Sequence, residues 1–358
     1  MDRHPLQVGK DPQPIMTMPE TQPTDLETTE ETADAVPDPV AEAAARLRYD
    51  ATVSRTLVHR TSVAEVFVTD SAAIGEETFL VAAQLPRGHL IGENAPMYDY
   101  TLLIEVVRQA GVLVAHEHLD VELGSAFIFR SLNLRTVGLT QLRIGATPAH
   151  VLVTMTVHPR RNKAGRVQGF TFSGNVALDG HVAMAGNGAL LIVSQRAYRT
   201  LRAKRRTAAT DLALPRFTPA APSAVGRSEA RNVVITAPVV ASEARVSAQL
   251  VLDASHPHMF DHPLDHVPGH LQMEAARQLA IAAVAQLHGL SPQTLTISAI
   301  ETEFTDYAEL DQVTELRATV QGFRRQDDLR TLAVPVVIDV RQEGAVTTTI
   351  RLEVVQWT

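Results

Sequence analysis

The sequence predicts an α+β protein made of two similar halves, each a long buried helix packed on antiparallel strands. Three observations carry this prediction. One phrase occurs twice, LLIEVVRQAGVLV at 102–114 and LQMEAARQLAIAAV at 271–284. At 3.6 residues per turn, each copy lines up Glu, Arg and Gln on one stripe of an otherwise apolar cylinder: Glu105, Arg108 and Gln109, then Glu274, Arg277 and Gln278. All three pairs differ by 169 residues, and the same offset carries His89 onto His258. A constant offset of this kind marks a tandem repeat. Each half should therefore hold one central helix, at about 99–117 and 269–288, in an antiparallel sheet of its own, with the halves related by a pseudo-twofold.

Composition bounds the rest. A chain of 358 residues with 45% hydrophobic content can bury a large core. It has no run of eighteen apolar residues, so no membrane span is expected. The opening MDRHPLQVGK lacks the apolar core of a secretory signal, and Met16 and Met18 are alternative starts. Cysteine is absent, which fits a cytoplasmic protein and rules out disulfides and a Cys nucleophile. The net charge of −8 sits in residues 1–45, with ten acidic and two basic residues; the remainder has 30 of each sign. A neutral body gives no nucleic-acid surface.

In chain order, residues 1–45 read as an acidic, disordered tail, with AEAAARLR at its end suited to a short helix. The first repeat, 46–195, opens with strand and strand-entry sequence over 51–70 and a strand FLVAAQLP at 79–86. After its helix, HVLVTMTV (150–157) alternates, RNKAG (161–165) fits a hairpin connection into VQGFTFSGNVAL, and MAGNGALLIVS (184–194) is a further strand. Residues 196–230 read as a basic, Pro/Ala-rich linker whose charge run is a solvated surface. The second repeat, 231–358, has alternating strands at ELRATVQ (315–321), at Val334, Val336, Ile338 and Val340, and at TTIRLEVVQ, with a hairpin turn at Glu343-Gly344.

A buried carboxylate costs several kcal/mol unless it is paired or neutral, so two at matched positions ask for a use. A Glu–Arg pair three apart could simply neutralise itself. The histidines 256, 258, 262, 266 and 270 invite a metal reading, but Pro263 and Pro268 prevent one helical face, and no H-E-x-x-H occurs. No metal or cofactor is expected. The triplet GNG at 186–188 reads as a turn, and without Cys or G-x-S-x-G nothing advertises an acyl-enzyme.

The phrases VHRTSVAEVFVTD, YDYTLLIEVVRQAGVLVAH and FDHPLDHVPGHLQMEAARQ resemble, in order, those of the A-factor biosynthesis (AfsA) family of γ-butyrolactone synthases. PGHLQMEAARQ is also similar to the helix opening of hotdog-fold 3-hydroxyacyl-carrier-protein dehydratases. The resemblance implies a double hotdog and transfer of a 3-oxoacyl group from an acyl carrier protein to the hydroxyl of dihydroxyacetone phosphate. Aldol-type closure of the ester then gives a butenolide phosphate. The family's functional positions fall on Glu105, Glu274 and Arg277; the dehydratase histidine falls on Phe260, flanked by His258 and His262. That chemistry needs a base, for which a carboxylate of raised pKa at Glu274 suits, and a phosphate clamp at Arg277. Oxyanion donors are expected at the helix start near Gly269, with Arg108, Gln109, Gln278, His258 and His262 as further substrate contacts. The rival readings are a dehydratase or thioesterase on the same fold, and a non-catalytic acyl-ligand-binding regulator. A homodimer is compatible with all of them.

Overall fold

The computed structural model describes residues 39–93, 95–205 and 215–357. The expected tail, as far as residue 38, and positions 206–214 of the expected linker lie outside the described residues. After a short helix α1 (Pro39–Arg46), the first repeat runs β1 (Val68–Ala73), β2 (Thr78–Leu85), helix α2 (Tyr100–His118), β3 (Ala126–Thr136), β4 (Ala149–Arg161), β5 (Val167–Leu178) and β6 (His181–Val193). Helix α3 (Gln195–Arg205) follows. The second repeat has β7 (Val239–Ser242), β8 (Arg245–Gln249), helix α4 (Gly269–His288), β9 (Leu295–Phe304), β10 (Glu315–Val320), β11 (Arg324–Gln326), β12 (Thr331–Gln342) and β13 (Ala345–Gln356).

Both central helices are present at the expected places. In α4 every residue from Leu271 to Ala285 is buried, and its many alanines keep the cylinder thin enough to lie close to β8, β9, β10, β12 and β13. Gly289 ends it in the left-handed conformation, its N–H bonded to the Ala285 carbonyl. Helix α2 is buried over 100–107 and 109–115, and the two helices pack on each other. The strands alternate as their sequences dictate: in β4, Ala149, Val151, Val153, Met155 and Val157 face the core. At the β12–β13 hairpin, Glu343 and Gly344 both take positive φ, which the twist of a two-residue hairpin favours.

One expectation changes. The two helices do not have separate sheets: the described strands form one antiparallel sheet in the order β1-β2-β4-β5-β6-β3-β9-β13-β12-β10-β8-β7, with β11 beside β12. The halves are joined where Ser131–Arg135 of β3 pairs with Ala299–Glu303 of β9, so each repeat covers an edge the other would leave unpaired. The order within each half is the same read from opposite ends. This is a double hotdog.

The segment 51–70 also differs. Only Val68 onward is strand; before it stand two 3₁₀ turns, Arg55–Val58 and Val63–Glu65. Three of its backbone polar groups are taken by side chains of α2. Arg108 donates to the Val58 carbonyl (3.0 Å), and Gln109 bonds both the Glu65 carbonyl (2.7 Å) and the Phe67 N–H (3.0 Å). The basic run is likewise no simple solvated linker. It forms α3, in which Arg202 is buried, bonding Asp265 (3.0 Å) and Glu309 (2.6 and 2.7 Å) and lying over the Tyr307 ring.

Candidate functional site

Glu105, on the buried stripe of α2, receives Arg108 Nε and Nη2 (both 2.8 Å), Gln109 Nε2 (2.6 Å) and Arg60 Nε (2.8 Å). Glu274 of α4 has the same surroundings: Arg277 Nε (2.8 Å), Gln278 Nε2 (2.5 Å) and Arg227 Nε (3.0 Å). Each carboxylate thus sits between two guanidinium groups. Burial alone would raise both pKa values, but in each case the paired arginines outweigh it, and both groups are lowered. The raised pKa expected of a general base is found at neither glutamate.

Arg60 and Arg227 have no place in the 169-residue register. They are related by 167, as are Val58 and Val225, Glu65 and Asn232, and Phe67 and Val234. The structure honours this second register: Gln278 bonds the Asn232 carbonyl and the Val234 N–H as Gln109 bonds Glu65 and Phe67. The histidines follow it too. His89 Nδ1 accepts the N–H two residues on, from Ile91, and His256 Nδ1 does so from His258. His256 is therefore the counterpart of His89, and the match to His258 is corrected. A second comparison of VHRTSVAEVFVT with VGRSEARNVVIT would have found both arginines.

A cavity of about 910 Å³ opens on only one of these two centres. Its lining includes His59, Arg60, Thr61, Arg108, Asp261, His262, Gly269 and His270, and also Arg130, His266 and Asp306. Its apolar walls come from Ile104, Phe127, Phe129, Leu132, Met259, Met273 and Phe304, with Tyr198 and Leu201 of α3 along one side. Asp261 is occupied by the backbone N–H groups of Thr61 (2.6 Å) and Ser62 (2.9 Å), which tie the His59-bearing turn to the second repeat. Gly269 is tightly placed at the cavity edge, where a Cβ would stand 3.0 Å from the Phe304 ring and press it aside. Of the residues singled out in the sequence, Arg108, His262 and Gly269 border the cavity. Glu105, Gln109, Glu274, Arg277, Gln278 and His258 do not; the two glutamines pin loops to helices.

The other centre is filled by the chain itself. Asp99 caps α2 by accepting the Thr101 N–H (2.8 Å), and its other oxygen takes Arg227 at 2.7 Å. Thr101 Oγ1 donates to Glu274 (3.2 Å). The residue 169 positions after Asp99 is Pro268, which starts α4 with no side-chain cap. The first turn of α4, at the cavity, therefore presents backbone N–H groups outside the helical ladder.

Glu65, His89 and His258 bring three ligand-type atoms within 4.8 Å of one another. The Ile91 N–H at His89 Nδ1 requires the His89 proton on Nε2, which faces Glu65 at 3.4 Å, while His258 Nδ1 lies 2.7 Å from the other oxygen. Burial raises Glu65, but hydrogen bonds from His258 and His89 outweigh it and bring it to about 2. The trio is a carboxylate held by two ring N–H donors, not a set of lone pairs converging on a cation.

The model of the A-factor biosynthesis hotdog domain matches residues 42–194 and again 208–356. The chain belongs to the A-factor biosynthesis hotdog family. Among relatives of this A-factor family, the 2-oxo-3-(phosphooxy)propyl 3-oxoalkanoate synthase of Streptomyces virginiae is 36% identical over 73% of this chain and 85% of its own length. That of Streptomyces coelicolor is 31% identical over 75% and 82%. Among solved structures, the pyran synthase domain from module nine of the sorangicin pathway aligns over 82% of this chain and 98% of its own, at 14% identity and TM-score 0.47. A Mycobacterium avium tesB protein aligns over 81% and 96%, at 11% identity and TM-score 0.46.

Proposed function

We propose that this protein is a 2-oxo-3-(phosphooxy)propyl 3-oxoalkanoate synthase, an acyltransferase that joins a 3-oxoacyl group from an acyl carrier protein to the hydroxyl of dihydroxyacetone phosphate. The names of the two relatives supply the product. The observation that carries the reading is the cavity, whose lining includes the guanidinium groups of Arg60 and Arg108, bridged by Glu105, and a set of apolar side chains from Ile104, Phe127, Phe129, Leu132, Met259, Met273 and Phe304. A phosphate suits the first and an acyl chain the second.

In this reading Arg60 and Arg108 hold the phosphate, and Glu105 fixes both forks in place. Glu105 is a poor base for this step, because its bonds to both arginines lower its basicity and it does not line the cavity. The uncapped start of α4, at Gly269 and His270, offers N–H groups to the oxygen of the thioester carbonyl as it gains charge. The Glu274–Arg277 centre, closed by Asp99, is a structural counterpart. The test is mass spectrometry of a mixture of protein, 3-oxoacyl carrier protein and dihydroxyacetone phosphate. The expected result is a phosphorylated 3-oxoacyl ester or its butenolide; free 3-oxo acid alone would instead indicate a thioesterase.

A further inference from the structure

Outside the arginine centre, the cavity holds one feature that the second repeat lacks. His59 Nε2 and His116 Nε2 are 2.9 Å apart, and His116 Nδ1 lies 2.7 Å from the Val121 carbonyl oxygen. A carbonyl only accepts, so His116 carries its proton on Nδ1, and its Nε2 is the acceptor for His59. His59 must then hold its proton on Nε2, which leaves Nδ1 with a free lone pair. Phe127 stands edge-on to both rings, at 5.0 and 5.3 Å, and fixes the pair from a third side. His59 lines the cavity, as do its neighbour Arg60 and Arg108.

The backbone marks the same residue. His59 ends its 3₁₀ turn in the left-handed region, φ 52° and ψ 54°, and Arg60 N–H closes the turn on the Arg55 carbonyl. In the second repeat Arg227 N–H closes the same turn on Pro222, and the left-handed residue is Gly226, φ 69°. The counterpart of His116 is Ala285. One repeat therefore uses the residue that suits this conformation, and the other sets a bulky one there, facing the cavity.

We propose that His59 is the general base of the acyl transfer and that His116 is its positioning residue. This rests on the function proposed above. His59 Nδ1 takes the proton of the acceptor hydroxyl as its oxygen attacks the thioester carbonyl. The C–O bond forms, the C–S bond breaks, and the proton passes from His59 to the departing thiolate, so the ring ends neutral. Burial and the Arg108 charge lower the His59 pKa to about 4. A phosphate dianion bound at Arg108 offsets the second of these causes, so acceptor binding strengthens the base that must act on it.

The test compares wild type with His59→Gly, the residue of the other repeat. The variant should still fold, because glycine relaxes the left-handed turn and offsets part of the lost His116 hydrogen bond and Phe127 contact; a thermal melt checks this. Turnover should fall by roughly 10²–10⁴-fold, and added imidazole should restore part of it. His116→Leu should also lower turnover, and His116→Gln, which keeps a donor and an acceptor, should recover some. A folded His59→Gly protein within threefold of wild type, or one that imidazole does not restore, overturns the assignment while leaving the proposed function standing. A wild type that forms no acyl ester removes the proposed function and this inference with it.

Discussion

At the scale of single residues, two carboxylates in the same setting have different prospects. Glu105→Gln and Glu274→Gln each leave two arginines short of a partner, at least one of them buried, and each should lower stability by about 3–5 kcal/mol. Only Glu105→Gln should also weaken acceptor binding, because of the four arginines at the two centres only Arg60 and Arg108 border the cavity. Thermal melts and calorimetric titration with dihydroxyacetone phosphate separate the two effects; equal loss of binding in both variants would contradict the one-sided site. Arg108→Lys keeps the charge but loses the fork, so KM for the acceptor should rise more than kcat falls. The pH dependence follows from His59. Its folded pKa, about 4, lies below the ordinary 6.5, so the unfolded chain binds the proton first. The stability this contributes is complete above pH 6.5 and is lost as pH falls toward about 4. In a series of melts His59→Gly should lessen the slope in that window, to which His270, His256 and His118, also lowered by burial, contribute as well. Glu, Arg and Gln of each helix were legible in the sequence because helical spacing places them on one stripe. Arg60 was not, since it comes from an irregular turn on a different register, and it adds to Arg108 in holding the Glu105 pKa down.

At the scale of elements, the helices and most strands follow from periodicity, whereas two segments answer to partners distant in sequence. The turns at 55–65 have the composition of a strand, yet Arg108 and Gln109 satisfy their backbone and bend them over α2. Helix α3 has the composition of a linker, yet Arg202 inserts between Asp265 and Glu309 and brings Tyr198 and Leu201 to the cavity wall. Arg202→Ala should release this helix. KM for the acyl donor should rise several-fold while affinity for the acceptor, held by Arg60 and Arg108, stays near that of the parent. Steady-state kinetics with each substrate varied in turn checks this, and an acceptor effect as large as the donor effect would place α3 elsewhere in function.

At the scale of the whole molecule, the two repeats are not independent. They share the β3–β9 pairing, Asp261 of the second binds the turn of the first, and Asp99 of the first binds Arg227 of the second. Cutting the chain between 205 and 215 should yield fragments that aggregate or stay unfolded when expressed singly and reassemble when expressed together. Circular dichroism of each fragment and of the mixture reads the outcome. The tandem repeat was legible from a shared offset, but the closure of one centre was not, because a helix cap and a proline at equivalent places look alike as helix starts. That single exchange, Asp99 against Pro268, also fixes the arithmetic of the protein. On the proposed reading, with one centre occupied by its own carboxylate, a chain turns over one acceptor at a time, and the Glu274 centre is not available to be coupled to the first. Saturation should be hyperbolic with a Hill coefficient of about one, and a pre-steady-state burst, if seen, should count one equivalent per chain.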